Sequence, residues 1–286
     1  MTGARRRLTG GPGQRARLGW NLVGLAVFVV MAFPTYWMIS TAFKPDNEIY
    51  GYTPSFFPTH VTLQHFIDAM RYPYFWTDVK NSLIVVLSTV AISLVLSFFA
   101  AVALAKYRFS GRRLFIVLVI GIQMLPQTGL IIPLYVVLAR YHLVNTLLGV
   151  ILVYLTFSLP FCVWTLRGFM VGIPKELEEA SMVDGSTRLG AFVRILLPLV
   201  APGLVATSVF AFITSWNEFI FANTILKGGA NDTITVWLSL LTGGSRAIDW
   251  GQVMAASTLI SIPVVLFFLF VQRRIAFGLT AGAVRG

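Results

Sequence analysis

The sequence predicts an all-α integral membrane protein with six spans, and three observations carry that prediction. Six apolar runs are each long enough to cross a bilayer, which takes about 20 helical residues. The 286-residue chain is 57% hydrophobic and only 12% charged, about half the charge a soluble domain uses to cover its surface. All 22 lysines and arginines fall outside the six runs. The same apolar mass excludes a disordered chain.

The runs are Trp20–Phe43, Asn81–Ala105, Leu114–Leu138, Leu147–Leu166, Val200–Asn223 and Gln252–Val271. Their apolar residues surround the helix instead of lining one stripe, as lipid solvation requires. Pro34, Pro126, Pro133, Pro160, Pro202 and Pro263 lie within or beside them and read as kinks, because a bundle offers the freed carbonyls other partners. Arg5, Arg6 and Arg7 before the first run, with the small triplet Ser40–Thr41–Ala42, raise the question of a cleaved leader. A run of this length exceeds a leader's apolar core and favours a retained helix.

The basic residues set the orientation. With the N-terminus in the cytoplasm, sixteen face inward, among them Arg5–Arg7, Lys106, Arg112, Arg167, Arg194 and Arg273. Six face outward: Lys44, Arg71, Lys80, Arg140, Lys227 and Arg246. This is the positive-inside pattern, with both termini cytoplasmic. The net charge of +11 is therefore a topological signal, and a nucleic-acid reading fails because the charges sit in short loops.

The chain reads as one integral membrane domain over 1–286. It has a basic tail at 1–19, a core bundle at 81–271, a cytoplasmic loop at 167–198 and a cytoplasmic tail at 273–286. In the external loop, Thr62 is placed to cap a short helix with Leu63, Phe66, Ile67 and Met70 on one face. In the cytoplasmic loop, Pro174 and the acids Glu176, Glu178 and Glu179 suit a helix start. Gly185 suits its left-handed end. Ser186 or Thr187 then caps a second helix with Leu189, Phe192, Val193 and Leu196 as its apolar face. Such a corner serves either as a docking device for another protein or as a cover for the cytoplasmic helix ends.

The stretch Glu176–Leu204, ELEEASMVDGSTRLGAFVRILLPLVAPGL, resembles the EAA loop of binding-protein-dependent ABC importer permeases. It matches at Glu179, Ala180, Asp184, Gly185, Phe192, Ile195, Leu197 and Pro198, and departs at Ser181 and Ser186, where the pattern prefers Ala. The segments LAKYRFSGRR (Leu104–Arg113), QMLPQTGLIIPLY (Gln123–Tyr135), WNEFIF (Trp216–Phe221) and the tail RRIAFGLTAGAVRG (Arg273–Gly286) resemble the carbohydrate-type members of that family.

The resemblance implies a six-helix type I ABC importer permease with a cytoplasmic coupling helix, translocating a di- or oligosaccharide into the cytoplasm by alternating access. Implied partners are a second permease subunit, an ATP-binding subunit dimer and an extracytoplasmic solute-binding protein. Glu179, Ala180, Asp184, Gly185, Phe192 and Pro198 are the implied ATPase-docking positions. Glu179 would pair with a basic residue on the ATPase, and Asp184 would stabilise the start of the second helix. Gly278, Thr280 and Gly282 would let a slim tail reach the ATPase dimer, unless the tail is a frayed end.

The chain has no GxxxxGK[ST] and no HExxH, so it is not expected to be an enzyme. No cofactor or metal is expected on it, and ATP and Mg belong to the implied partner. His60, His65 and His142 do not make a metal site by spacing, and the single cysteine, Cys162, reads as a small buried hydrophobe. Glu218 is the one acid within a predicted span, where a carboxylate is expensive and hence a functional suspect. With Trp216 and Asn217 it either lines a sugar path or sits at the external end, with Trp216 in the aromatic belt. Gln123, Asn81 and Ser93 read as interhelical hydrogen-bonding groups. A permease for a non-sugar solute such as glycerol phosphate is the alternative. A secondary transporter is disfavoured by the lack of internal symmetry and of coupling-ion sites.

Overall fold

Each apolar run folds as helix, and the breaks between helices follow local chemistry. The computed structural model describes residues 12–243 and 247–283. In chain order its α-helices are α1 (Pro12–Ala42), α2 (Asp46–Ile49), α3 (Gln64–Arg71), α4 (Phe75–Lys106), α5 (Arg112–Gln123), α6 (Ile131–Arg140) and α7 (Leu147–Val171). They continue with α8 (Glu176–Val183), α9 (Arg188–Ala191), α10 (Leu197–Trp216), α11 (Ile220–Ile225), α12 (Ile234–Thr242) and α13 (Trp250–Ala283). Among the described residues, five spans are long and apolar enough to cross a membrane unbroken, and the α5–α6 pair makes a sixth if counted as one.

That pair departs from the expected kinked helix. Its two arms meet at 98°, with Pro126 extended at φ −65°, ψ 118° between them. Proline lacks an amide to donate and pushes the residue before it out of the helical region, so here it breaks the span. Pro34, Pro160, Pro202 and Pro263 lie inside continuous helices, as expected. The fifth span ends at Trp216 instead of Asn223, which leaves Glu218 in the turn before α11 and not within a span.

The chain divides into two compact units. The first comprises the residues up to Ala69 together with Ile248–Leu259. Glu48 organises its loop: the carboxylate accepts from the amides of Thr59 and His60 and from the Thr59 hydroxyl. These bonds hold the Glu48 carboxyl below its usual range. Lys44, buried over the Trp37 ring at 4.3 Å, donates to the Ser55 carbonyl, and burial pushes its ammonium pKa down. The Gln64 amide donates to Thr62 Oγ1 at 3.1 Å at the start of α3. His65, Phe66 and Ala69 form the buried face of α3, while Leu63 stays exposed.

The same unit brings together Asp46, His65 and Asp249, which the spacing of histidines did not suggest. Nε2 of His65 lies 2.9 Å from the Lys44 carbonyl and 3.7 Å from Asp46; Nδ1 lies 3.9 Å from Asp249. The carboxylates approach opposite ring nitrogens at distances too long for hydrogen bonds, and one ligand atom from each of the three residues lies within 4.8 Å of the others, close enough to hold a metal ion.

The second unit comprises Met70–Ala247 with the chain from Ile260 onward. Here α4 and α7 lie side by side, joined by Ser93 Oγ to Ser158 Oγ at 3.0 Å, and buried Cys162 sits 3.8 Å from the same Ser158. One apolar cluster gathers Val85, Val150, Val153, Tyr154, Phe221 and Ile225. A second gathers Phe98, Ala101, Leu166, Met170, Leu196 and Val200 beside α8 and α9. Where α7 meets α10, a Cβ on Gly203 would lie 2.7 Å from Cγ of Phe169, so only glycine fits the crossing. Asn81 Nδ2 donates to the carbonyls of Ala230 and Asp232 at 2.9 Å, and Ser82 Oγ accepts from the Ile234 amide at 2.7 Å. These bonds fix the start of α4 to the segment before α12.

Candidate functional site

Two regions hold the candidate residues, an exposed corner at α8–α9 and a polar cavity beside α11. The corner is built by local sequence. Three glutamates occupy the first turn of α8, where backbone amides favour negative charge. The helix closes with Gly185 at φ +93°, its amide bonded to the Met182 carbonyl and the Ser186 amide to the Ser181 carbonyl. That is a Schellman ending, with glycine at the left-handed position. Thr187 Oγ1 then accepts from the Gly190 amide at 3.1 Å and starts α9. The hydroxyl of Thr187, rather than the carboxylate of Asp184, makes this cap.

No residue of α8 is buried. Glu179, Ala180, Asp184 and Gly185 are exposed, and Val183 at its tip is 87% exposed. The tip of α8 is thus apolar and exposed, beside the left-handed turn at Gly185. A π-helical turn at Phe192–Leu196 rotates the next segment. The expected apolar face therefore divides: Phe192 stacks edge-on against Phe98 at 5.4 Å and Leu196 is buried, while Leu189 and Val193 are exposed. Pro198 follows closely on that π turn, inside the continuous helical run Arg188–Trp216, where it has no amide to offer the preceding turn.

The second region follows from the break after Trp216. Glu218 Oε1 accepts from the Phe221 amide at 2.8 Å and Oε2 from the Ala222 amide at 3.1 Å, which caps α11. The Glu218 carbonyl accepts from Thr235 Oγ1 at 2.7 Å. Beside it lies a cavity of about 90 Å³, lined by Gln127, Tyr154, Ser158, Thr214, Ser215 and Glu218 with aromatic rings between them. Of the three residues expected on a solute path, Glu218 alone lines this cavity. Trp216 is buried, its indole N–H donating to the Ile260 carbonyl at 3.2 Å, and Asn217 Nδ2 bonds back to the Ile213 carbonyl. Gln127, Tyr154 and Thr214 escaped the sequence reading because they come from three separate helical segments. The one cue was Gln127 beside the helix-breaking Pro126.

Of the interhelical polar groups expected, Asn81 and Ser93 make long-range bonds, and Gln123 lies exposed at the end of α5. Gly278, Thr280 and Gly282 belong to the backbone of α13; their surroundings lie outside the described residues, as does Gly286 altogether.

Residues 93–280 match the model of the binding-protein-dependent transport system inner membrane component family. The chain belongs to that family. It is a membrane-embedded transport component with several spans.

Among curated relatives, this permease is 44% identical over 266 residues to the diacetylchitobiose uptake system permease protein DasC of Streptomyces coelicolor, covering 93% of this chain and 96% of the relative. It is 34% identical over 275 residues to the trehalose transport system permease protein SugB of Mycobacterium tuberculosis, covering 96% and 100%. The trehalose/maltose transport system permease protein MalG of Thermococcus litoralis is 34% identical over 260 residues, covering 90% and 93%. The permease shares its fold with a chain of a bacterial ABC transporter that imports alginate, at a TM-score of 0.77 and 20% identity, with 96% and 99% covered.

Proposed function

We propose that this permease is one half of a heterodimeric, ATP-driven carbohydrate importer. A second permease completes the channel, and each half inserts its α8 into a groove of an ATP-binding subunit. An extracytoplasmic solute-binding protein delivers a di- or oligosaccharide. ATP and Mg belong to the ATPase, and this chain holds no cofactor of its own. Both termini and the α8–α9 corner lie in the cytoplasm, as the basic residues favour. Closure of the ATPase dimer moves the corner and reorients the bundle by alternating access.

The observation that carries this reading is the outward-held α8, ended by Gly185 and presenting Glu179, Ala180 and Asp184, in a chain of this family. The sugar class is supported by relatives named for diacetylchitobiose, trehalose and maltose transport. Glu218, Gln127 and Thr214 line part of the solute path, with Trp216 and Asn217 supporting its wall. The tail at Gly278, Thr280 and Gly282 reaches the ATPase dimer.

Proteoliposomes holding the complex purified through a tag on this chain test the reading, with labelled diacetylchitobiose as probe and trehalose beside it. Uptake that needs both ATP and the binding protein is the expected result. Uptake by this chain alone, without nucleotide, overturns it.

A further inference from the structure

Lys106 is the last residue of α4, and its side chain is only 8% exposed. Its Nζ lies 2.6 Å from Glu178 Oε1 in the first turn of α8, and donates at 3.2 Å to the Ile173 carbonyl in the turn after α7. The contact with Glu178 is an ion pair and not a well-aligned hydrogen bond. Behind it is a cavity of about 200 Å³, lined by Val102 and Tyr107 on one side and by Glu179, Met182 and Phe192 on the other. Lys175 and Arg188 also line this cavity, but among the cations there it is Lys106 that reaches from α4 to pair with α8, which has no buried residue. The pair is partly buried, with Lys106 the deeper member and Glu178 24% exposed, and breaking it leaves the poorly solvated ammonium group without its carboxylate.

The helix that carries Lys106 differs from its neighbours. Pro34, Pro160, Pro202 and Pro263 lie inside α1, α7, α10 and α13, whereas α4 has no proline over its 32 residues. Prolines are where helices bend, so α4 is the long helix best able to carry a displacement end to end. Its length is about 48 Å at 1.5 Å per residue. Its far end is fixed by Asn81 and Ser82 to the backbone of Ala230, Asp232 and Ile234.

We propose that Lys106 is a positioning residue that straps α8 to the unbroken α4, so that movement of α8 reaches the Ala230–Ile234 segment at the opposite end. Such coupling needs a contiguous, stiff element engaged at both ends, and α4 is engaged at both. The proposal rests on the docking role of α8 given above.

The test uses the complete importer, with an environment-sensitive fluorophore on Lys227→Cys in a Cys162→Ala background. The signal on adding MgATP is read together with the ratio of diacetylchitobiose imported to ATP hydrolysed. In Lys106→Met the ATP-induced signal disappears and the ratio falls about tenfold while the ATPase subunit stays bound, and Lys106→Arg restores both. Glu178→Gln gives the same loss and serves where Lys106→Met fails to fold. An unaltered signal and ratio in Lys106→Met and Glu178→Gln overturn the strap. So does loss of the ATPase subunit from either variant, which makes the pair a structural prop. A wild-type complex with no ATP-dependent uptake instead defeats the docking role itself.

Discussion

Glu218 Oε1 accepts the backbone amide of Phe221 at 2.8 Å, so the acid that the sequence places in a membrane span caps a short helix at its end. Its second oxygen takes the Ala222 amide. Replacing a capping side chain by alanine costs about 1 kcal/mol. Glu218→Ala is expected to unfold at lower temperature in detergent, and Glu218→Gln, which keeps an acceptor oxygen, to stay near wild type. Equal melting of the alanine variant and wild type contradicts the capping role.

Gly203 and Phe169 make the tightest crossing of α7 and α10. A methyl group there meets the ring near its root, where the side chain has little freedom to swing away. Overpacking of this kind costs about 1–3 kcal/mol. Gly203→Ala is expected to melt earlier, and Phe169→Leu in the same chain to recover part of the loss. Thermal unfolding of the single and double variants measures both.

Asp232 is buried beside the equally buried Asp78, and none of the four carboxylate oxygens has a hydrogen-bond partner. Burial raises the Asp232 pKa; the Gly228 and Gly229 amides pull the other way without completing hydrogen bonds. A carboxyl raised in the folded state is fully accommodated below its unfolded pKa, and that stability is lost as pH rises through the folded pKa. Asp232→Asn is therefore expected to melt above wild type at neutral pH, the gap closing as pH falls toward about 4. A gap that persists or widens in acid contradicts this sign.

Gly185 holds the α8–α9 corner at φ +93°. Asparagine tolerates that region and a β-branched residue does not. Gly185→Asn is expected to retain the ATPase subunit through purification and Gly185→Val to lose most of it. Subunit ratios on a stained gel settle the comparison.

What the sequence made legible was local. Apolar runs placed the long helices, and Gly185 with Thr187 placed the corner, because helix ends are encoded within a few residues of themselves. Pro126 was visible, but whether it kinks or breaks a span depends on neighbours that offer the freed carbonyls partners. The end of α10 at Trp216 was hidden because Glu218 reads as one polar residue in an apolar run until its capping bonds are seen. The pairing of Lys106 with Glu178, of Asn81 with the Asp232 carbonyl, and of Gln127 with Thr214 around one cavity joins distant parts of the chain. No local pattern reports such contacts.

In the proposed importer, α8 receives the work of ATP hydrolysis through its exposed face. Glu179 is exposed there and belongs to the EAA pattern. The direct measurement is ATP-driven diacetylchitobiose uptake by the reconstituted complex carrying Glu179→Arg, with its melting temperature as control for folding. Uptake is expected to fall about tenfold or more at an unchanged melting temperature, as for a desolvated charge pair broken at an interface. Uptake at the wild-type rate would contradict it.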